Sequence, residues 1–167
     1  DVGENISASV TYTDGYDTEE TVTSAKTGAI ANVNDDPTGS VTIFGTAAEG
    51  STLSLSDTIA DQDGLGSFSY QWLRDGSTIS GAADTSYTLT QDDVGAEITA
   101  KQSYTDDFGN DHSVTSTETS AVSNVNDAAT GSVTISGTAT EDQTLTLTST
   151  VADADGIDAD TVSYQWH

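Results

Sequence analysis

A chain of 167 residues and 17.2 kDa has room for one large domain or two small ones and can bury a core. Its 28 acidic residues against three Lys and Arg leave a formal charge of −25, which excludes nucleic acid and anionic membrane as partners and makes cations the natural company. Without cysteine there is neither a disulfide frame nor a thiolate metal site, and no apolar run approaches the roughly 18 residues of a membrane span, which excludes insertion of a helix into a bilayer. Only 34% of residues are hydrophobic, yet they are spaced at strand period, which argues against disorder.

From its first residue the chain runs inside a repeat. DVGENISASVTYTDGY (1–16) lies over DVGAEITAKQSYTDDF (93–108) without a gap, a shift of 92 places, and NVNDDPTGSVTI (32–43) then meets NVNDAATGSVTI (124–135) at the same shift. The match continues from GTAAEGSTLSL (45–55) to GTATEDQTLTL (137–147) and, after two extra residues, brings SYQW (69–72) onto SYQW (163–166). Residues 1–36 are thus the C-terminal part of one repeat with its linker, 37–127 a complete repeat with its linker, and 128–167 the N-terminal part of the next. Neither partial copy is expected to fold well alone. They come from opposite ends of the repeat, so strand complementation between chains into a filament is a second reading, lacking only the counterpart of residues 73–92.

Within the complete copy, alternation of apolar and polar residues predicts strands beginning near 39, 51, 67, 86, 96 and 112. The inward sets are Val41 and Ile43; Leu53, Leu55 and Ile59; Phe68, Tyr70 and Trp72; Tyr87 and Leu89; and Ile98, Ala100 and Tyr104. Turn signals separate them at EGS (49–51), DQDG (61–64), RDG (74–76), SGAAD (80–84), DDVG (92–95) and DDFGND (106–111). Asp57 falls in phase with Leu53 and Leu55, as polar Ser149 does in the next copy, which predicts a bulge or a strand end. About seven short strands per repeat predict an all-β chain of tandem antiparallel sandwiches with immunoglobulin-like topology, with Trp72 and Trp166 as core tryptophans.

Strands that alternate in direction sort the acidic loops to two ends of such a sandwich. If repeats follow head to tail, Glu49, Asp92 and Asp93 of one copy face Asn124, Asn126 and Asp127 of the linker and Asp153 and Asp155 of the next copy. The earlier junction repeats this with Asp1, Asn32, Asn34, Asp35, Asp36, Asp61 and Asp63, its Glu49 counterpart falling before residue 1. All are hard oxygen donors with no His or Cys among them, the set that suits Ca²⁺ rather than zinc or copper. Carboxylates ~5 Å apart repel by roughly 3 kcal/mol at an effective dielectric near 20, so a bound cation turns a repelling hinge into a tied one. Pro37 limits the first hinge further.

The junction NVNDDP (32–37) resembles the D-x-N-D-N-A-P interdomain motif of cadherins, and DQD (61–63) and DAD (153–155) resemble the D-x-D motif that follows it. The second junction, NDAAT, departs from that pattern in lacking the proline and the last acid. Over its whole length, including TLTQDDVGAEI and SYTD, the chain is similar to the Ig-like or cadherin-like tandem repeats of giant bacterial surface adhesins and hemolysin-type calcium-binding proteins. The resemblance implies export by a type I system, an extracellular place on a bacterial surface, a Ca²⁺-dependent spacer whose partners are neighbouring repeats of the same chain, and adhesion by terminal domains.

Two other calcium motifs are absent. DQDG and DADG start like EF-hand loops, but the glycine comes two places early and the twelfth positions are Trp72 and Tyr164 instead of a Glu. Catalysis has no constellation either, since His112 is matched by Glu20 in the other copy and His167 is the last residue. A Ca²⁺-assisted carbohydrate or ligand-binding module is the alternative, resting on Tyr16 and Phe108 at equivalent loop tips; packing of each ring over its own loop is the expected role.

Overall fold

The computed structural model describes residues 1–167, and almost all of its regular structure is strand. The first strands are β1 (Ser9–Thr13), β2 (Glu19–Thr23), β3 (Val41–Phe44), β4 (Thr52–Asp57), β5 (Ser69–Arg74) and β6 (Ser77–Thr78). They are followed by β7 (Ser86–Thr88), β8 (Ile98–Thr105), β9 (Asp111–Thr115), β10 (Val133–Ser136) and β11 (Thr146–Ser149). By contact the chain forms two units, one of Asp1–Thr38, Ala60–Ser67 and Tyr104–His112, the other of Gly39–Ile59, Phe68–Ser103 and Ser113–His167.

In the first unit, β1 and β2 form an antiparallel hairpin from Ser9↔Thr23 to Thr13↔Glu19. Its tip is tied by Asp14, whose Oδ1 accepts from Tyr16 N at 2.8 Å and Thr18 N at 2.9 Å. Asp106, 92 places on, repeats the device with Phe108 N at 2.9 Å and Asn110 N at 2.8 Å. An aspartate that satisfies two loop amides explains why this acid recurs. The loop at 61–64 is built likewise, with Asp63 N donating to Asp61 Oδ1 at 2.8 Å. Gly64 has φ +96°, a backbone conformation that side chains with a Cβ rarely adopt, so the turn itself favours glycine.

The second unit holds a three-stranded sheet, β3-β4-β7, and most of a four-stranded one, β6-β5-β8-β9. Their ladders are antiparallel, with Leu53 opposite Tyr87 and Trp72 opposite Ala100. A single buried cluster draws on both sheets: Leu53, Trp72, Leu89, Ile98, Ala100 and Val122, with Ile43, Leu55, Ile79 and Tyr87 packed against it. Each large aliphatic or aromatic side chain removed from water there contributes roughly 1.5–3 kcal/mol. Trp72 also donates its indole N–H to Asp84 O at 2.9 Å, so its one polar atom is satisfied. β8 alternates as the pattern predicts, with Ile98, Ala100, Gln102 and Tyr104 buried. Gln102 is the surprise: it sits fully buried in an inward position, and neither end of its amide has a partner.

Past β9 the chain turns inward. Val122 is 2% exposed, and parallel bridges Ala48↔Ser123 and Val94↔Val122 hold the segment beside the turn between β3 and β4. The bonds are Ser123 N to Ala47 O and Glu49 N to Ser123 O, both 2.9 Å, and Gly95 N to Val122 O at 2.8 Å.

β10 and β11 pair in the register of β3 and β4, Val133↔Ser149 against Val41↔Asp57. Asp57 and Ser149 each close their strand, and each side chain accepts from the amide two residues on at 3.3 Å, so the polar residue in the inward phase is a strand end. The glycine of the shared T-G-S-V-T-I run is equally explained. Gly39 and Gly131 have φ +91° and +90°, and a Cβ would lie 2.2 and 2.1 Å from the carbonyl oxygens of Thr58 and Thr150.

One core assignment changes. Trp166 is 50% exposed, whereas Trp72 is fully buried, and the SYQW of 163–166 forms no strand. Trp72 is enclosed because β5 pairs with β8, whereas 163–166 has no strand beside it. For the same reason Val133 and Ile135 are 55% and 60% exposed, while Val41 and Ile43 are buried and half-buried.

Candidate metal centre

The parallel bridge at Ser123 delivers the linker to Glu49. Carboxylate oxygens of Glu49, Asp127 and Asp155 lie within 4.8 Å of one another, from the β3–β4 turn, the linker and the loop after β11. Glu49 is half-buried and the two aspartates are exposed. The cluster is fastened from several sides. Asp127 N donates to Asp155 Oδ2 at 2.7 Å, Asn124 Nδ2 to Asp155 Oδ1 at 2.7 Å, and Val125 N to Glu49 Oε2 at 3.3 Å. Asp153 lies one step out, its Oδ1 accepting from Asp155 N at 3.0 Å. The Gln91 amide, turned to satisfy both of its ends, donates to the two Glu49 oxygens at 3.0 and 3.1 Å.

Asp93, expected among these ligands, is elsewhere. It is fully buried; Oδ1 accepts from Arg74 Nε and Nη2, both at 2.7 Å, and Oδ2 from Tyr87 Oη at 2.9 Å and Thr90 N at 2.8 Å. Burial opposes its charge, but the bonds from Thr90, Arg74 and Tyr87 outweigh that and hold its carboxyl below the ordinary carboxylate value. The same contacts raise the Arg74 guanidinium, first through the Asp93 hydrogen bond. The signal was in T-Q-D-D (90–93), where Thr and an acid three places later make a capping box over the short 3₁₀ turn Gln91–Asp93. Asp92 points to an open groove shared with Arg74, Asp75 and Ile79. Asn126 bonds only locally, Nδ2 to Asp127 O at 2.8 Å.

At the earlier junction the first unit repeats one element: Asp35 N donates to Asp63 Oδ2 at 2.6 Å, as Asp127 N does to Asp155. Asn32 is half-buried, while Asp1, Asn34 and Asp36 are exposed and form no cluster with this pair. Asp61 turns inward. Its side chain is without exposure, Oδ1 is taken by Asp63 N, and Oδ2 accepts from the Tyr104 hydroxyl at 2.5 Å. His112 stacks on Tyr104 at 5.4 Å and places Nε2 3.8 Å from Asp61 Oδ2 and 3.6 Å from Asp106 Oδ2. Burial raises the Tyr104 phenol, and the Asp61 bond adds to it. Burial also opposes the Asp106 charge, but hydrogen bonds from Asn110 and Phe108 outweigh that and hold that carboxyl below its ordinary value. In the preceding copy the same positions carry Tyr12 and Glu20, and the Tyr12 hydroxyl donates to Glu20. The exchange of Glu for His across copies hid this inward network.

Tyr16 and Phe108, expected to fold over their loops, are 92% and 51% exposed. Each sits at the tip of a hairpin turn whose aspartate accepts from its backbone amide. No helix is long and apolar enough to cross a membrane. No family model, curated protein or solved structure matches the chain.

Proposed function

We propose that the chain is a stretch of tandem Ig-like, cadherin-like β-sandwich repeats that serves as a Ca²⁺-stiffened spacer in an extracellular bacterial adhesin. The observation that carries the reading is the convergence of Glu49, Asp127 and Asp155, three carboxylates from three separate segments, on one point. Left alone, that arrangement is repulsive. The donor chemistry fits the ion, because oxygens 2.3–2.6 Å from a Ca²⁺ lie at most about 5 Å apart across it, and this trio is within 4.8 Å. Asp153, through its bond to Asp155 N, and Asn124 are the adjacent oxygen sources. When bound, the ion supplies two positive charges that reverse the repulsion and tie the turn, the linker and the following loop to one centre. The acidic composition, the recurrence of the Asp35–Asp63 bond and the repeated glycines support a repeated junction over an isolated acidic surface.

Small-angle scattering and calorimetric titration of the intact chain test the proposal. Calcium is expected to bind with Kd on the order of 10⁻⁴–10⁻³ M, as in extracellular modules, and to give a longer, stiffer particle than EDTA. Profiles and melting curves that coincide with and without calcium would refute it. The exposure of Phe108 and Tyr16 favours the ligand-binding alternative. Glycan-array binding abolished by Phe108→Ala would establish that one instead.

A further inference from the structure

We propose that Gln91 is a further ligand of the Glu49–Asp127–Asp155 site and its two-position switch: without the cation its amide N–H groups face Glu49, and toward Ca²⁺ the amide turns over and presents Oε1. The inference rests on the calcium reading and adds to it a neutral residue that no inventory of acids points to. Gln91 stands between two acceptors. On one side are the two Glu49 oxygens, 3.0 and 3.1 Å from the amide nitrogen when it faces them. On the other is Asn124 Oδ1, 3.3 Å from Nε2 when the amide faces the opposite way. Asn124 is itself held, because its Nδ2 donates to Asp155 Oδ1 at 2.7 Å. One NH₂ group therefore serves either acceptor, and Oε1 takes its place beside the one it leaves.

Charge decides which orientation holds. Without a cation the carboxylate wins, since a hydrogen bond to an ionised acceptor is about twice as strong as one to a neutral amide oxygen. Turned the other way, Oε1 lies 3.0 and 3.1 Å from the Glu49 oxygens with no hydrogen among the three. Only a cation makes that arrangement favourable. Carboxylate and amide carbonyl oxygens are the donors Ca²⁺ takes, and the three acids leave room among its roughly six to eight positions for one more.

Everything except one torsion is already fixed. Gln91 opens the 3₁₀ turn Gln91–Asp93, which is anchored by the fully buried Asp93 and its bonds from Arg74, Tyr87 and Thr90. Backbone bonds join this turn to the other two segments: Gly50 N to Leu89 O at 3.0 Å, Glu49 N to Ser123 O at 2.9 Å and Gly95 N to Val122 O at 2.8 Å. Glu49, Gln91 and Asn124 thus keep their backbones in place while the amide turns. The turn is a rotation about a terminal sp³–sp² bond, which is broad and roughly two-fold, so it exchanges two atoms and moves no backbone.

The intact parent chain, Gln91→Ala and Gln91→Glu, each in EDTA and in calcium, test the proposal. Gln91→Glu sets a carboxylate beside Glu49 and is expected to melt at least ~2 °C below Gln91→Ala in EDTA at low salt. In calcium the order reverses. Gln91→Ala is expected to bind about 10-fold more weakly than the parent by calorimetry, and Gln91→Glu at least as tightly as the parent, a ranking that persists in high salt, where bare charge attraction is screened. The side-chain amide NMR signals of Gln91 in the parent are expected to move with the calorimetric midpoint. A residue that only held Glu49 in place would need its N–H groups in both states, so Gln91→Glu would lose affinity as Gln91→Ala does. That result, a Gln91→Ala chain that binds calcium like the parent, unmoved amide signals, or equal melting of the two variants in EDTA would overturn the switch and leave the calcium site standing. A parent chain that takes up no calcium would overturn both.

Discussion

Replacing Asp127 by Asn separates the charge of the Glu49–Asp127–Asp155 cluster from its hydrogen bonds. Asp127 is held through its backbone, N to Asp155 and O from Asn126, and Asn keeps both bonds. What changes is that two of the three carboxylate pairs lose their repulsion. At 4.8 Å each pair repels by about 3.5 kcal/mol at an effective dielectric of 20 and about 0.9 kcal/mol at that of water. Since Asp127 and Asp155 are exposed, the lower figure governs, and the gain without calcium is about 1–2 kcal/mol at low salt, shrinking as salt screens it. In calcium the sign reverses, because the ion loses a ligand and a counter-charge; affinity is expected to fall about 10-fold or more. Melting curves in EDTA and in calcium, with a calorimetric titration, read both halves. A variant that melts lower than the parent in EDTA, or that binds calcium as the parent does, would refute the electrostatic reasoning.

Asp93→Asn removes the counter-charge of the partly exposed Arg74 guanidinium and weakens five hydrogen bonds at a buried carboxylate, so urea unfolding is expected to show a loss of about 2 kcal/mol. Asp93 and Asp106 have folded-state carboxyls below the ordinary 3.8, so the unfolded chain binds more protons as pH falls. Their stabilisation is complete above that value and lost as pH drops through the lowered ones, an acid transition that denaturation at stepped pH should show, reduced in Asp93→Asn. Gln102→Val removes an amide buried without partners and installs the residue found at the equivalent Val10; a gain of about 1–2 kcal/mol in chemical denaturation is expected. Gly39→Ala puts a Cβ 2.2 Å from the Thr58 carbonyl at φ +91°, and a loss of about 2 kcal/mol or more should appear in the same assay.

Much of the strand layout was legible because a residue facing a core and its neighbour facing water must differ in polarity, and that alternation is written locally. Ile98, Ala100 and Tyr104 are buried as their spacing predicts, and Asp57 and Ser149 end their strands as their polarity in the inward phase predicts. Gln102 broke the pattern and was still buried, because its neighbours on β8 fix the face and a single polar residue cannot rotate a strand. The aspartates were harder to sort. Asp61, Asp93 and Asp106 look like Asp127 and Asp155 in the sequence, yet they turn inward to Tyr104, Arg74 and loop amides.

By itself the sequence determined the 92-residue period, the strand phases, the turn glycines and the choice of oxygen over sulfur or imidazole at the junctions, since each depends on residue type and local spacing. Which acids converge was decided only by the tertiary structure. Glu49 meets Asp127 because Ser123 bridges to Ala48 across 75 residues of chain, and Trp72 is buried where Trp166 is not because only the first has β8 beside it. Those outcomes depend on which strand lies next to which, and a side chain's own identity carries no record of its neighbour across the sheet.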